Sequence, residues 1–179
     1  MNPSRNLFVI GPTGAGKTSV GRRLAAHYGL SFLDLDQEIE RHCGVPVATI
    51  FEIEGEAGFR QRESALLEAC SRREEVLLAT GAGAVLDAAN RRRLAERGFV
   101  LWLDASVEQQ LERLARDHKR PLLAVADRRG RLEAMAAQRG PLYREAADLV
   151  VAGAHEDVAA ACARCIALLD RCWKRQHAA

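Results

Sequence analysis

Leu7-Phe8-Val9-Ile10-Gly11-Pro12-Thr13-Gly14-Ala15-Gly16-Lys17-Thr18 is the stretch on which the fold turns. Four apolar residues read as a short buried strand. Gly11 to Thr18 then fits G-x-x-x-x-G-K-[ST] at every position, and Val20, Leu24 and Tyr28 follow at helical spacing. Strand, glycine loop and helix in that order form a phosphate cradle. Glycines let successive N–H groups turn inward, and the helix adds its positive N-terminal end. Gly14, Ala15, Gly16, Lys17, Thr18 and Ser19 are therefore expected around a nucleotide's phosphates. Lys17 should reach the β- and γ-phosphates, and the Thr18 hydroxyl should ligate Mg²⁺ that arrives with ATP. A glycine turn that happens to precede a lysine would not need this context.

Outward from the loop, short apolar runs alternate with longer amphipathic stretches. Strands are expected at 7–10, 32–35, 75–79, 99–103 and 148–151, and helices at 16–28, 56–72 and 106–116. That alternation predicts an α/β three-layer sandwich around a five-stranded parallel sheet. With 179 residues and no linker rich in Gly, Pro or Ser, residues 1–179 read as one domain. Residues 117–131, charged and without a sustained period, read as a mobile lid. No apolar run is long enough for a membrane span, and the first is too short for a secretory signal, so a cytoplasmic protein is expected. Lys and Arg number 26 against 24 Asp and Glu, a balance that argues against a nucleic-acid partner. A monomer is expected.

Five cysteines, an odd number, suggest free thiols. Cys162 and Cys165 form a C-x-x-C, but with Val158, Leu169 and Cys172 they lie on one helical stripe, which reads as core. Asp104 ends an apolar run and has two readings, a Walker B carboxylate or part of the cap of the next helix. Ser106 with Gln109 fits a capping box and favours the cap. Asp34 and Asp36 are read at the end of the second strand, where i and i+2 share a face. Both carboxylates then point into a cleft beside the phosphate loop. Asp34 would hold Mg²⁺ and Asp36 would accept a hydroxyl proton; the plainer alternative makes Asp36 a helix cap.

Several separated motifs, in this order, are similar to those of the shikimate kinase family. They are Gly11–Thr18 with the trailing Ser19-Val20-Gly21-Arg22-Arg23-Leu24, then Asp34-Leu35-Asp36, Ile50-Phe51-Glu52 and Gly55-Glu56-Ala57-Gly58-Phe59-Arg60 with Glu63. Thr80-Gly81-Ala82-Gly83-Ala84-Val85, Arg120-Pro121-Leu122-Leu123 and Arg139-Gly140-Pro141-Leu142-Tyr143 follow. The resemblance implies a small kinase of the nucleoside-monophosphate-kinase type that moves the ATP γ-phosphate to the 3-hydroxyl of shikimate in aromatic amino acid biosynthesis. It implies a shikimate site from Asp36, Arg60 and Arg139 over the loop of Gly81, Ala82 and Gly83, within an acceptor region at about 34–63. It also implies a catalytic lid arginine, Arg120, which also contacts ATP, and an adenine-packing arginine, Arg113. On residue type alone Arg60 and Glu63 are a surface ion pair, and Arg113 and Arg139 are solvated charges. Two departures stand out: Ala82 replaces a family glycine, and the loop 152–157 lacks the family's basic residue. Because glycines in such loops often serve positive φ, Ala82 is expected at negative φ, leaving any special geometry to Gly81 and Gly83. A gluconate kinase, or an ATPase module with a macromolecular partner, are the other readings.

Overall fold

The structure, a computed structural model, describes residues 4–115 and 121–174. The central strand is β1 (Leu7–Ile10), whose four side chains are fully buried. It is flanked by β3 (Val76–Ala79) and β4 (Phe99–Leu103), with β2 (Ser31–Asp34) and β5 (Leu149–Val151) at the edges. The order is β2-β3-β1-β4-β5 and every pairing is parallel, for example Phe8 opposite Leu78 and Val100. Period-2 alternation in β1 divides the core. Leu7 and Val9 join Leu24 of α1 (Lys17–Tyr28) and Cys162, Cys165 and Leu169 of α7 (Val158–Cys172). Phe8 and Ile10 face the other way. There they meet α2 (Leu35–Cys43), α3 (Val47–Ser71), α4 (Ala88–Arg97) and α6 (Arg128–Ala146) through Ile39, Leu67, Leu94 and Tyr143. The result is three layers. A third, smaller cluster joins Leu114 of α5 (Val107–Leu114) to Leu123, Leu132 and Met135, above the glycine loop.

Local chemistry explains most boundaries. Ser106 and Gln109 form the expected capping box at the start of α5, and Asp104 Oδ1 accepts from the Ala105 N–H, so Asp104 shapes this corner. β2 ends one residue earlier than the sequence suggests. Asp34 is its last residue and also the N-cap of α2, accepting from the N–H groups of Asp36 and Gln37. Asp36 is thus neither a strand residue nor the cap. The helix expected at 56–72 is the second half of α3. Its first half starts after Pro46, where Glu40 Oε1 accepts from the Val47 N–H. The halves meet at Gly55, whose φ of 67° and ψ of −175° break the helix and bring Phe51 against Phe59, ring centroids 4.6 Å apart. Residues 128–131, read as part of the lid, form the first turn of α6, with Asp127 accepting from the Gly130 N–H. All five cysteines are free, with Cys70, Cys162 and Cys165 buried. Among the described residues no helix is long and apolar enough to cross a membrane.

Candidate active site

The glycine loop lies between β1 and α1 at the carboxyl end of the sheet. Gly11 (φ 143°) turns the chain where a Cβ would run into the Leu103 carbonyl, and Gly16 (φ 88°) caps α1 in the left-handed region. Gly16 has no side chain to offer the helix, so the first N–H groups of α1 stay available to an anion. Lys17 Nζ donates to the carbonyls of Gly11 and Pro12, 2.8 Å each, which holds the ammonium over the loop. A cleft of about 460 Å³ runs across Gly14, Ala15, Gly16, Lys17, Thr18 and Ser19. Its far wall is Arg113 with Glu156 and Asp157. Arg113 donates to the Gly14 carbonyl (3.0 Å) and to the Ala154 carbonyl (3.4 Å), tying the loop to residues 152–157. Glu156 there is held by Arg164 of α7.

A second cleft, about 440 Å³, opens beside the first. Asp36, Arg60, Glu63, Gly81, Ala82 and Arg139 line it, with Phe51, Phe59 and Met135 as apolar wall. The sequence reading of Arg60 and Glu63 as a pair holds, but Glu63 is buried and Arg60 half-buried rather than at the surface. Arg60 Nη1 donates to Glu63 Oε2 at 2.5 Å, its Nη2 donates to Glu56, and Glu63 is only 1% exposed. Burial pushes the Glu63 carboxyl above the ordinary carboxylate range, although Arg60 pulls against it. Arg139 is buried rather than solvated. Burial lowers its pKa, and the like charge of Arg60 adds to that, yet a guanidinium stays charged. Two cations, Arg139 buried and Arg60 half-buried, thus face one cleft with the buried Glu63 carboxylate beside them. Such a site favours an acidic ligand.

The loop 80–83 forms the floor. Among the described residues the only side-chain-bearing position at positive φ is Glu75, so Ala82 takes an ordinary conformation, as expected. The expectation that Gly81 and Gly83 carry special geometry is corrected, because neither has positive φ. Their reason is close approach. A Cβ on Gly81 would collide with Glu63 Oε1 and press on Asp36, and one on Gly83 would collide with the Arg60 guanidinium. Gly83 does not line the cleft; it backs Arg60. Tyr143 of α6 donates from its hydroxyl to the Ala82 carbonyl and fixes the floor. That role had no local signal, since the two residues are 61 positions apart.

Thr18, Asp34, Asp36, Gly81 and Ala82 line both clefts and form the seam between them. Thr18 Oγ1 donates to Asp34 Oδ2 at 2.6 Å, while Asp34 Oδ1 caps α2. A hydroxyl and a carboxylate fixed together beside a phosphate cradle fit a Mg²⁺ that keeps waters and phosphate oxygens as its other ligands. No cluster of three or more His, Cys, Asp or Glu fit to hold a metal occurs among the described residues, and an ion bound in that way does not need one. Asp36 reaches the seam from the first turn of α2, so the shared cleft is right but strand alternation is not its cause. Arg120 lies outside the described residues, as do residues 117–119 of the lid segment.

A five-stranded parallel sheet in this order, with a phosphate cradle that shares a wall with a small polar cleft, defines an ATP-dependent small-molecule kinase. Residues 13–170 match the family model described as shikimate kinase. The chain is 50% identical over 174 residues to the shikimate kinase of Xanthomonas euvesicatoria pv. vesicatoria, covering 97% of each. It is 57% identical over 145 residues to that of Bordetella avium, covering 81% of this chain and 69% of the other. A shikimate kinase from Acinetobacter baumannii, solved in complex with shikimate, superposes with a TM-score of 0.91 at 42% identity, covering 96% of this chain and 94% of that one. The chain belongs to the shikimate kinase family.

Proposed function

We propose that this chain transfers the γ-phosphate of Mg·ATP to the 3-hydroxyl of shikimate, a step of aromatic amino acid biosynthesis, with the nucleotide in the first cleft and shikimate in the second. The observation that carries the reading is the seam: a phosphate cradle and a cleft lined by two arginines, Arg60 and the buried Arg139, meet at Asp36. Arg60 and Arg139 fork the shikimate carboxylate, Glu63 orients Arg60, and the floor of Gly81 and Ala82 lies beneath the ring. Asp36 accepts from a ring hydroxyl and orients it toward the γ-phosphate; it takes the proton as the bond to phosphorus forms. Lys17 leaves the Gly11 and Pro12 carbonyls and stabilises the charge that develops on the transferring group. Arg113 flanks the base, and Arg120 completes the charge balance from the segment that precedes α6. Thr18 and Asp34 are the groups that would hold Mg²⁺, which when bound would supply positive charge to the transferring phosphate. The protein works in the cytoplasm as one domain and as a monomer.

The test is to incubate the protein with Mg·ATP and shikimate, gluconate or no acceptor, and to follow ADP and the phosphorylated product by ³¹P NMR. Shikimate 3-phosphate with matching ADP is expected. Product from gluconate alone, or ADP formation that ignores the acceptor, would sink the reading.

A further inference from the structure

Besides Glu63 Oε1 in the second cleft, two polar atoms near the site are buried without a hydrogen-bond partner: Thr13 Oγ1 in the glycine loop and Arg139 Nε in α6. Both residues are more than nine-tenths buried, at 7% and 6% exposure. Both also line one void of about 20 Å³, between the glycine loop, Gln110 of α5 and Met135 of α6. Leaving such groups unsatisfied is costly, more so for a charged one. The void is too small for any part of a ring-bearing acid, yet it exceeds the roughly 10–15 Å³ that one water requires. An Nε–H can only donate, and a hydroxyl can accept, so one water satisfies both atoms.

We propose that a buried water in this void accepts from Arg139 Nε–H and donates to Thr13 Oγ1, making Thr13 a positioning residue for Arg139. With Nε engaged away from the cleft and the Tyr143 hydroxyl also bonded to the guanidinium, Arg139 is held in one orientation toward the acceptor's carboxylate. This rests on the reading that Arg139 holds that carboxylate. Since Thr13 sits inside the glycine loop, the bridge also joins the nucleotide cradle to the arginine of the second cleft. Thr13 belongs to the eight-residue loop motif at a position where any residue type fits, so the motif itself assigns it no role.

The test compares Thr13→Val, which keeps the shape but loses the oxygen, with Thr13→Ser, which keeps the oxygen. Thr13→Val should raise the shikimate KM about tenfold, as expected when a water-bridged bond to a charged group is lost, with a much smaller rise in the ATP KM. Thr13→Ser should stay within about threefold of the parent, by the same principle. Lysine has no Nε–H, so in an Arg139→Lys background the valine change should add less than about twofold. Equal rises in both KM values, a serine variant as impaired as the valine one, or the same factor in both backgrounds would overturn the proposal. Arg139→Lys with an unchanged shikimate KM would instead remove the carboxylate reading beneath it. Should Thr13→Val not fold, a high-resolution crystal structure of the parent protein decides. A water peak within bonding distance of both atoms is expected; a dry void, or a halide seen by anomalous scattering after bromide exchange, refutes the bridge.

Discussion

At the scale of single residues, the floor of the second cleft separates two uses of glycine that a sequence writes with the same letter. Gly83 lies where a methyl would strike the Arg60 guanidinium, the far end of a flexible side chain. Gly83→Ala should therefore cost little stability, less than about 1 kcal/mol, but should displace Arg60 and raise the shikimate KM roughly 10–150-fold, the loss of one charge-assisted bond. Gly81→Ala should be worse on both counts, because the Glu63 carboxylate it strikes is buried and held by Arg60. Ala82→Gly should change kcat/KM less than about threefold, since Ala82 uses no conformation reserved for glycine. Chemical denaturation beside steady-state kinetics on the three variants checks the ranking, and an unchanged shikimate KM in Gly83→Ala would contradict it. The residues that build this site were legible as types and order in the sequence. Their burial was not, because the ion pair of Arg60 and Glu63 looks the same on an exposed helix as in a cleft. Tyr143 and Thr13 act across contacts that no local pattern reports.

At the scale of elements, segments with strong periodicity or a paired cap could be read directly. The strand Phe99–Leu103 and the start of α5 stand where expected, because a continuous apolar run and a Ser-x-x-Gln box each leave one interpretation. Phe32-Leu33-Asp34-Leu35-Asp36 misleads for a physical reason. Leu35 is fully buried in the helix just as it would be in a strand, so alternation runs on past the cap. α6 offers little periodic signal, and Gly130, Gly140 and Pro141 all disfavour a helix that tertiary packing nevertheless holds. In α7 Cys162, Cys165 and Leu169 of the expected stripe are core and Cys172 packs partly buried against them, whereas Val158 is exposed, and burial pushes the Cys165 thiol up to about 11. At pH 8 that thiol is almost wholly protonated and hence a poor nucleophile. An aromatic disulfide reagent should thus react promptly with Cys43 and Cys172 at most, the two half-buried thiols, and with all five only after denaturation. Rapid reaction at Cys162 or Cys165 in the native protein, found by peptide mapping, would show that α7 is not docked as described.

At the scale of the whole molecule, the second cleft draws on α2, both halves of α3, the loop after β3 and α6, so a ligand there ties together elements from most of the chain. Binding to the folded state alone should appear as added stability. Shikimate at 100 times its Kd should add about 2.7 kcal/mol, or roughly 5–10 °C in Tm for a domain of this size. Arg139→Ala should lose most of that shift while keeping the shift caused by nucleotide. A shikimate-induced shift of the same size in the variant, at the same ligand concentration, would argue against the cleft. The parallel sheet was legible from alternation alone; the order β2-β3-β1-β4-β5 was not, because it depends on crossovers between distant strands. The shared wall of the two clefts has a further consequence for inhibitor design. Thr18, Asp34, Asp36, Gly81 and Ala82 bound both spaces, so an adenosine polyphosphate tethered to a cyclic polyhydroxy acid needs only a short bridge to occupy both at once. With a well-matched tether the second half binds at an effective concentration in the millimolar range, and avidity can exceed that of either half by about 10²–10⁴.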